Sequence, residues 1–216
     1  ERKVVISANV AGRDLRGVVS DIRDIVNEQI ELPEDYHVEY GGQFENEEAA
    51  SRTLLLASVF AIMVIYLLLY NQFRSLTQSA VILINLPLAL VGGVFVLYLT
   101  GSDISIPAII GFISLFGIAT RNGMLLIERY NDLHAEGLSV KESILHGSAD
   151  RLNPILMTAL TTALALIPLA LGGDLPGNEI QSPMAKVILG GLATSTLLNG
   201  FIVPVMYMLT SSKKRS

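Results

Sequence analysis

Arg121 is the residue of this sequence whose chemistry most needs an explanation, because it lies inside an apolar run. The run extends from about residue 104 to residue 127, and a cation near the middle of a membrane helix costs roughly 2.5 to 3.5 kcal/mol on insertion scales. Its stem could pack on apolar neighbours while the guanidinium reaches the headgroups. Alternatively, the side chain faces the interior of a helix bundle and belongs to an ion or proton pathway. The neighbouring Thr120 and Asn122 favour this polar interior.

A second apolar run carries hydroxyl groups that could serve the same pathway. Thr158 and Thr162 are one turn apart on one helix face, and Thr161 lies beside them. Hydroxyls in membrane helices commonly bond to carbonyl groups of the preceding turn or to a neighbouring helix, so a structural role is the alternative. None of the five apolar runs of the chain contains Asp, Glu, Lys or His. A counter-ion for Arg121 must therefore come from outside these runs.

These residues need elements that span a bilayer, and the sequence predicts five of them. The runs contain 17 to 24 residues, which matches a hydrocarbon core of roughly 30 Å. Gly92-Gly93 and Gly190-Gly191 lie inside two of them and allow close packing of helices. We place the transmembrane bundle at residues 51–210, with spans at about 54–70, 79–99, 104–127, 155–171 and 187–209, followed by a tail at 211–216.

Residues 1–50 differ from the rest and predict a small βαβ unit. Strands are expected at residues 4–10 and 36–44, where β-branched or alternating apolar residues occur. Between them, apolar residues recur at helical spacing from Asp14, a candidate cap, to about Ile30. The unit has too little core to fold alone. We therefore expect a piece of a larger extramembrane domain, and a chain that is a fragment of a longer protein.

The composition is that of a membrane protein, and it argues against several function classes. Hydrophobic residues make up 51% of the chain, charged residues 16%, and the mean hydropathy is +0.52. The sequence has no clustered basic surface for nucleic acid, no P-loop, no cysteine and no metal-binding spacing of its three histidines. We expect no enzyme active site, no cofactor and no resident metal site. The six scattered methionines could be soft metal ligands, although helix cores also use this residue.

Positive charge predicts the orientation of the spans. Seven basic residues lie on one side of the membrane and two lie near it on the other. The first group is Arg74, Arg129, Lys141, Arg151, Lys213, Lys214 and Arg215, and the second is Arg52 and Lys186. The positive-inside rule places the loops at 71–78 and 128–153 and the C-terminus in the cytoplasm, and the N-terminal segment outside. Ser102 and Gly177 should then face outward and His134 inward.

The longer cytoplasmic loop is predicted to contain a short helix. Ser139 and Glu142 form a capping box at its start, and the helix is expected to end near Gly147. Pro154 should then lie in the first turn of the fourth span, where proline is tolerated.

Several stretches in order resemble the C-terminal portion of a resistance-nodulation-division (RND) efflux pump. They include GRDLRGVVSDIRDIV, LPEDYHVEYGGQFENEEAA, GIATRNGMLLIERYNDL and HGSADRLNPILMTAL. Within that superfamily the chain is most similar to the heavy-metal efflux, CzcA-like inner-membrane components. The resemblance implies the end of a periplasmic porter subdomain followed by the last five of twelve transmembrane helices, which agrees with the orientation inferred from charge.

The resemblance also implies site residues. The relay of such pumps combines carboxylates of the N-terminal half with a basic residue and a hydroxyl, and Arg121 and Thr158 occupy the last two positions. Arg151 matches a second basic residue associated with the relay, and Asn122 adjoins Arg121. Two departures occur: the basic residue is often Lys in drug-exporting relatives, and the RLRP pattern reads Arg-Leu-Asn-Pro from Arg151 onward.

The implied protein is a multi-pass proton antiporter of the bacterial inner membrane that exports heavy-metal cations. It would act as a homotrimer with a periplasmic adaptor and an outer-membrane channel, and this chain would be completed by the N-terminal half of the same pump. The resemblance also suggests that in copper and silver members Met residues line parts of the path, including the start of the last helix. Residues 187–192 contain none here, which favours divalent cations such as zinc, cobalt, cadmium or nickel. The alternatives are an RND-superfamily protein exporting drugs, protein or lipid, and a non-transporting membrane anchor.

Overall fold

The computed structural model describes residues 4–10, 15–30, 33, 37–41, 43–102, 104–173, 178 and 181–212. In these ranges the chain forms helices α1 (Leu15–Gln29), α2 (Gln43–Phe73), α3 (Leu76–Leu99), α4 (Ile106–Ala135), α5 (Val140–Leu171) and α6 (Gln181–Ser212). The chain divides into a unit comprising Glu1–Thr53 and a unit comprising Leu54–Ser216.

In the N-terminal unit, the predicted helix is confirmed as α1, but no strand is present in the described parts of the two predicted strand segments. The described residues 4–10 and 37–41 contain no strand, and the segment after residue 42 is already helical as part of α2. A strand is stable when a neighbouring strand bonds to its backbone and when one of its faces is buried. Ile6 is instead 92% exposed, so the segment around it lacks that burial. Asp14 and Tyr36 lie outside the described residues.

The C-terminal unit confirms the predicted class, an α-helical polytopic membrane bundle. Each of α2 to α6 contains a segment long and apolar enough to cross a bilayer. Helices α3, α4 and α6 pack against one another, and α5 packs on α4 and α6. Between 44% and 50% of the apolar segment is buried in each of the three central helices, against 6% in α2 and α5. The bundle therefore has a three-helix centre, and α2 and α5 keep wide apolar surfaces exposed.

The two glycine pairs bring α3 and α6 into close contact, as predicted. A Cβ added at Gly92 or at Gly190 would lie 2.5 Å from the carbonyl oxygen of the other residue. One added at Gly93 would lie 2.6 Å from the ring of Phe112, and Gly191 meets the side chain of Leu115 in the same way. Glycine therefore sets the distance between these helices, because a side chain at either crossing position would push a backbone away.

A hydrogen-bonded network joins four helices near the C-terminal end of α4. Asn131 Oδ1 accepts hydrogen bonds from Gln78 Nε2 at 3.0 Å and from the Tyr207 hydroxyl at 2.8 Å. Tyr130 is fully buried, shares a 2.6 Å hydrogen bond with Ser148, and packs against the ring of Tyr207. Side chains of α3, α4, α5 and α6 thus hold one another at this end of the bundle.

Helix α5 begins as predicted but continues further. Ser139 Oγ accepts from the backbone N–H of Glu142, whose carboxylate accepts from the backbone N–H of Ser139, so the capping box is present. The helix neither ends at Gly147 nor restarts at Pro154, since both lie inside it. A Cβ at Gly147 would lie 2.6 Å from the ring of Tyr130. The predicted helix end was wrong because this glycine serves a contact with another helix, which local sequence does not reveal.

Candidate functional site

A cavity of about 330 Å³ lies between α4 and α5 and collects several polar side chains. Most of its α4 residues are three or four positions apart, so they form one stripe of that helix. The lining consists of Ser114, Gly117, Ile118, Arg121, Asn122, Thr158 and Thr162. The structure therefore brings together three of the four residues predicted for the relay.

Arg121 lies near the middle of the 30-residue helix α4. Its side chain is exposed, and among the described residues it has neither an ion pair nor a hydrogen bond. Side chains on a helix tilt toward its N-terminus, and Ser114 and Gly117 line the cavity on the two preceding turns. Glu128, which begins the polar end of α4, is about 10 Å away along the axis in the other direction. This geometry favours the cavity over the headgroups as the surroundings of the guanidinium.

The two cavity threonines differ in their hydrogen bonding. Thr158 Oγ1 donates to the carbonyl oxygen of Pro154 at 2.9 Å, which is the bond expected of a structural hydroxyl. The same oxygen can still accept a hydrogen bond from a donor in the cavity. Thr162 has no hydrogen-bond partner among the described residues, whereas Thr161 bonds to the Met157 carbonyl and does not line the cavity. Arg121 therefore shares the cavity with an acceptor and with a hydroxyl that is free to donate.

The amide of Asn122 and the guanidinium of Arg151 occupy different surroundings. Asn122 is only 4% exposed and lines the cavity. Arg151 is absent from the lining, and it precedes Thr158 by about two turns, or roughly 10 Å along α5. Its Nε atom is buried and finds no hydrogen-bond partner in the described part of the chain. The structure thus separates Arg151 from the other three predicted relay residues.

Ser114 and Gly117 line the cavity but were not predicted from the sequence. They precede Arg121 by seven and four residues, so helical spacing from the charged residue was the available signal. A Cβ at Gly117 would find no heavy atom within 4 Å. This glycine therefore leaves open space on the α4 surface beside the guanidinium.

The chain is similar to known proteins along almost its whole length. Residues 1–211 match the model of the AcrB/AcrD/AcrF family. The chain is 35% identical over 213 residues to the cobalt-zinc-cadmium resistance protein CzcA of Cupriavidus metallidurans, covering 99% of the chain and 20% of that protein. It is 37% identical over 206 residues to the nickel and cobalt resistance protein CnrA of the same organism, covering 95% and 19%.

A solved structure agrees with these sequence relatives. The crystal structure of a heavy metal efflux pump matches with a TM-score of 0.82 and 36% identity, covering 94% of this chain and 20% of the pump chain. The chain spans about a fifth of the length of the relatives it matches.

Proposed function

This chain belongs to the AcrB/AcrD/AcrF family, in the heavy-metal efflux branch of the resistance-nodulation-division transporters, and on that premise we propose that it takes part in proton-driven export of metal cations. The whole transporter is then a proton antiporter of the inner membrane, and this chain contributes helices of its proton relay. The observation that carries the proposal is Arg121, a guanidinium that lines a cavity and has no partner among the described residues.

The counter-ion of Arg121 belongs, in this proposal, to the N-terminal half of the transporter. An unpaired charge in a membrane interior is expensive, and a nearby carboxylate offsets much of that cost. The cavity lies between α4 and α5, and α5 keeps most of its apolar segment exposed. A helix that packs on this side of the bundle can therefore bring an acidic side chain to the guanidinium.

Protonation of that carboxylate would drive the conformational change. Arginine keeps its charge at any accessible pH, so Arg121 acts as a fixed cation whose attraction disappears when its acidic partner becomes neutral. The guanidinium is then released toward Thr158 and Thr162, whose hydroxyl oxygens can accept its N–H groups. Loss of the proton restores the ion pair. Alternation between the two states shifts the population of helix arrangements and couples proton entry to transport.

The assembly proposed from the family is a homotrimer that works with a periplasmic adaptor and an outer-membrane channel. In it, residues 1–50 belong to a periplasmic porter subdomain. The exposed apolar surfaces of α2 and α5 are available to lipid and to the other helices of the transporter.

The proposed orientation can be tested by labelling single cysteines in the full-length transporter. A membrane-impermeant thiol reagent should reach a cysteine at Ser102 from the periplasm and one at His134 from the cytoplasm, because the basic residues are concentrated on the His134 side. Labelling of the Ser102 position from the cytoplasm would contradict the assignment. Gly177, the third reporter suggested by the sequence, lies outside the described residues.

The proposed substrates are divalent cations such as zinc, cobalt, cadmium or nickel. Two of the relatives are named for resistance to these metals. Residues 187–192 of α6 contain no Met that could bind a softer ion, although the helix begins at Gln181 and carries Met184 in its first turn. A sensitive bacterial strain that expresses the full transporter should therefore gain resistance to at least one of the four divalent metals. Protection against copper or silver alone would show that the substrate assignment is wrong, and protection against none would contradict metal export itself.

A further inference from the structure

The centre of the α3, α4 and α6 packing contains two asparagines whose hydrogen-bonding groups are all unsatisfied. Asn85 on α3 and Asn199 on α6 are each 1% exposed. Neither the Nδ2 nor the Oδ1 atom of either side chain has a hydrogen-bond partner among the described residues. Buried amides in proteins are almost always hydrogen-bonded, so these two call for a ligand that the helices themselves do not supply.

Both amides reach the same place, which is the surface of α4 at Gly123. A Cβ built on Gly123 would lie 3.2 Å from Asn85 Nδ2 and 3.8 Å from Asn199 Oδ1. The 3.2 Å distance is shorter than most Cβ contacts, so the glycine is what allows the two amides to approach the α4 backbone this closely. Because an unpartnered donor of one residue and an unpartnered acceptor of the other meet at this glycine, they suit a molecule that can both accept and donate hydrogen bonds.

Two hydroxyls extend this group by one helical turn. Thr120 precedes Gly123 on α4 by three residues, and Thr196 precedes Asn199 on α6 by three residues. Thr120 therefore lies on the same face of α4 as Gly123, and Thr196 lies on the same face of α6 as Asn199. The Oγ1 atoms of both threonines are buried and lack a partner in the described part of the chain. We call Asn85, Thr120, Thr196 and Asn199 the inner polar site.

We propose that the inner polar site binds water between α3, α4 and α6. The site offers amide N–H donors, carbonyl oxygens and hydroxyls together, and water satisfies donors and acceptors alike. A metal cation would bind the oxygens alone and leave the amide N–H groups without acceptors. The site lies on the face of α4 that does not line the cavity, so it is distinct from the proposed relay and does not depend on it. Water-mediated contacts are readily remade, and they would allow α4 to shift against α3 and α6.

X-ray hydroxyl-radical footprinting in ¹⁸O-labelled water tests this proposal in the full-length transporter in lipid nanodiscs. Radicals formed at bound water modify the nearest side chains, and Ile82 Cγ2 would lie 3.3 Å from a Cβ at Gly123. Ile82 should therefore acquire ¹⁸O although it is 0% exposed. Leu115, also 0% exposed but in an apolar cluster, is the internal control and should remain unmodified.

The double variant Asn85→Leu with Asn199→Leu removes both amides. It should lower the modification of Ile82 several-fold while exposed side chains react as in the parent. If Ile82 acquired no more ¹⁸O than Leu115 in the parent protein, the proposal would be overturned. This comparison uses the parent protein alone, so it remains valid even if the double variant fails to assemble. Equal labelling in an assembled variant, or a density map with the two amides bonded directly to each other, would overturn it as well.

Discussion

Replacing Arg121 by Met in the full-length transporter should abolish metal export while the protein remains assembled in the membrane. Methionine keeps much of the side-chain bulk but removes the charge. The acidic partner in the N-terminal half then has no cation with which to pair when it ionises, so its protonation no longer changes the helix arrangement. Export should fall to the level of a strain without the transporter. The measurement is metal resistance together with intracellular metal content, with membrane abundance and oligomer size checked in parallel.

Two further variants separate the role of Arg121 from a general effect of charge. Arg121→Lys keeps the cation and loses the forked geometry, so part of the export should remain. Lys141→Met removes a cation from an exposed position of α5 outside the cavity, and export should be unchanged. If Arg121→Met exported metal at the parent rate, the residue would be an anchor that reaches the headgroups, and its relay role would be lost.

The second large effect is expected at the crossing of α3 and α6. Gly190→Ala places a methyl group 2.5 Å from the carbonyl oxygen of Gly92 and 2.6 Å from Val96 Cγ2. The backbone of Gly92 can respond only by moving its helix, and overpacking of this kind costs about 1 to 3 kcal/mol. The variant should unfold at a lower temperature than the parent in the same detergent and should accumulate less in the membrane.

Gly200→Ala is a matched control on the same helix. A Cβ at Gly200 meets no heavy atom within 4 Å, and alanine favours the helix over glycine. Its unfolding temperature should therefore equal or slightly exceed that of the parent. Equal unfolding temperatures for Gly190→Ala and Gly200→Ala would show that the close approach of α3 and α6 does not limit stability.

Hydropathy alone was sufficient to predict the five membrane helices, because the cost of exposing backbone to lipid leaves few alternatives to a helix. Boundaries outside the apolar runs were less predictable. Gly147 and Pro154 suggested a break in α5, but the contact between Gly147 and Tyr130 fits one continuous helix. Strands at residues 4–10 and 36–44 were expected from residue type, yet a strand also requires a partner.

One residue was enough to predict a candidate site from the sequence, but the full set of residues that line it could not be predicted. Arg121 was evident because a charge in an apolar run is costly, and Thr158 followed from the family resemblance. Helical spacing from Arg121 placed Ser114 and Gly117 on the same face of α4, but the cavity itself depends on how α4 and α5 face each other, so their place in its lining could not be predicted. Asn85 and Asn199 were hidden for a similar reason, since their burial against Gly123 depends on the packing of three helices that are distant in sequence.

Proton movement across the membrane tests the central claim most directly. The full-length transporter would be reconstituted in proteoliposomes that contain a pH-sensitive dye, and a gradient of Zn²⁺ or Co²⁺ would be imposed. The parent protein should move protons against the metal flux, and Arg121→Met, reconstituted at the same density and orientation, should move none above empty liposomes. Metal-dependent proton flux of equal size in the two proteins would contradict the assignment of Arg121 to the relay.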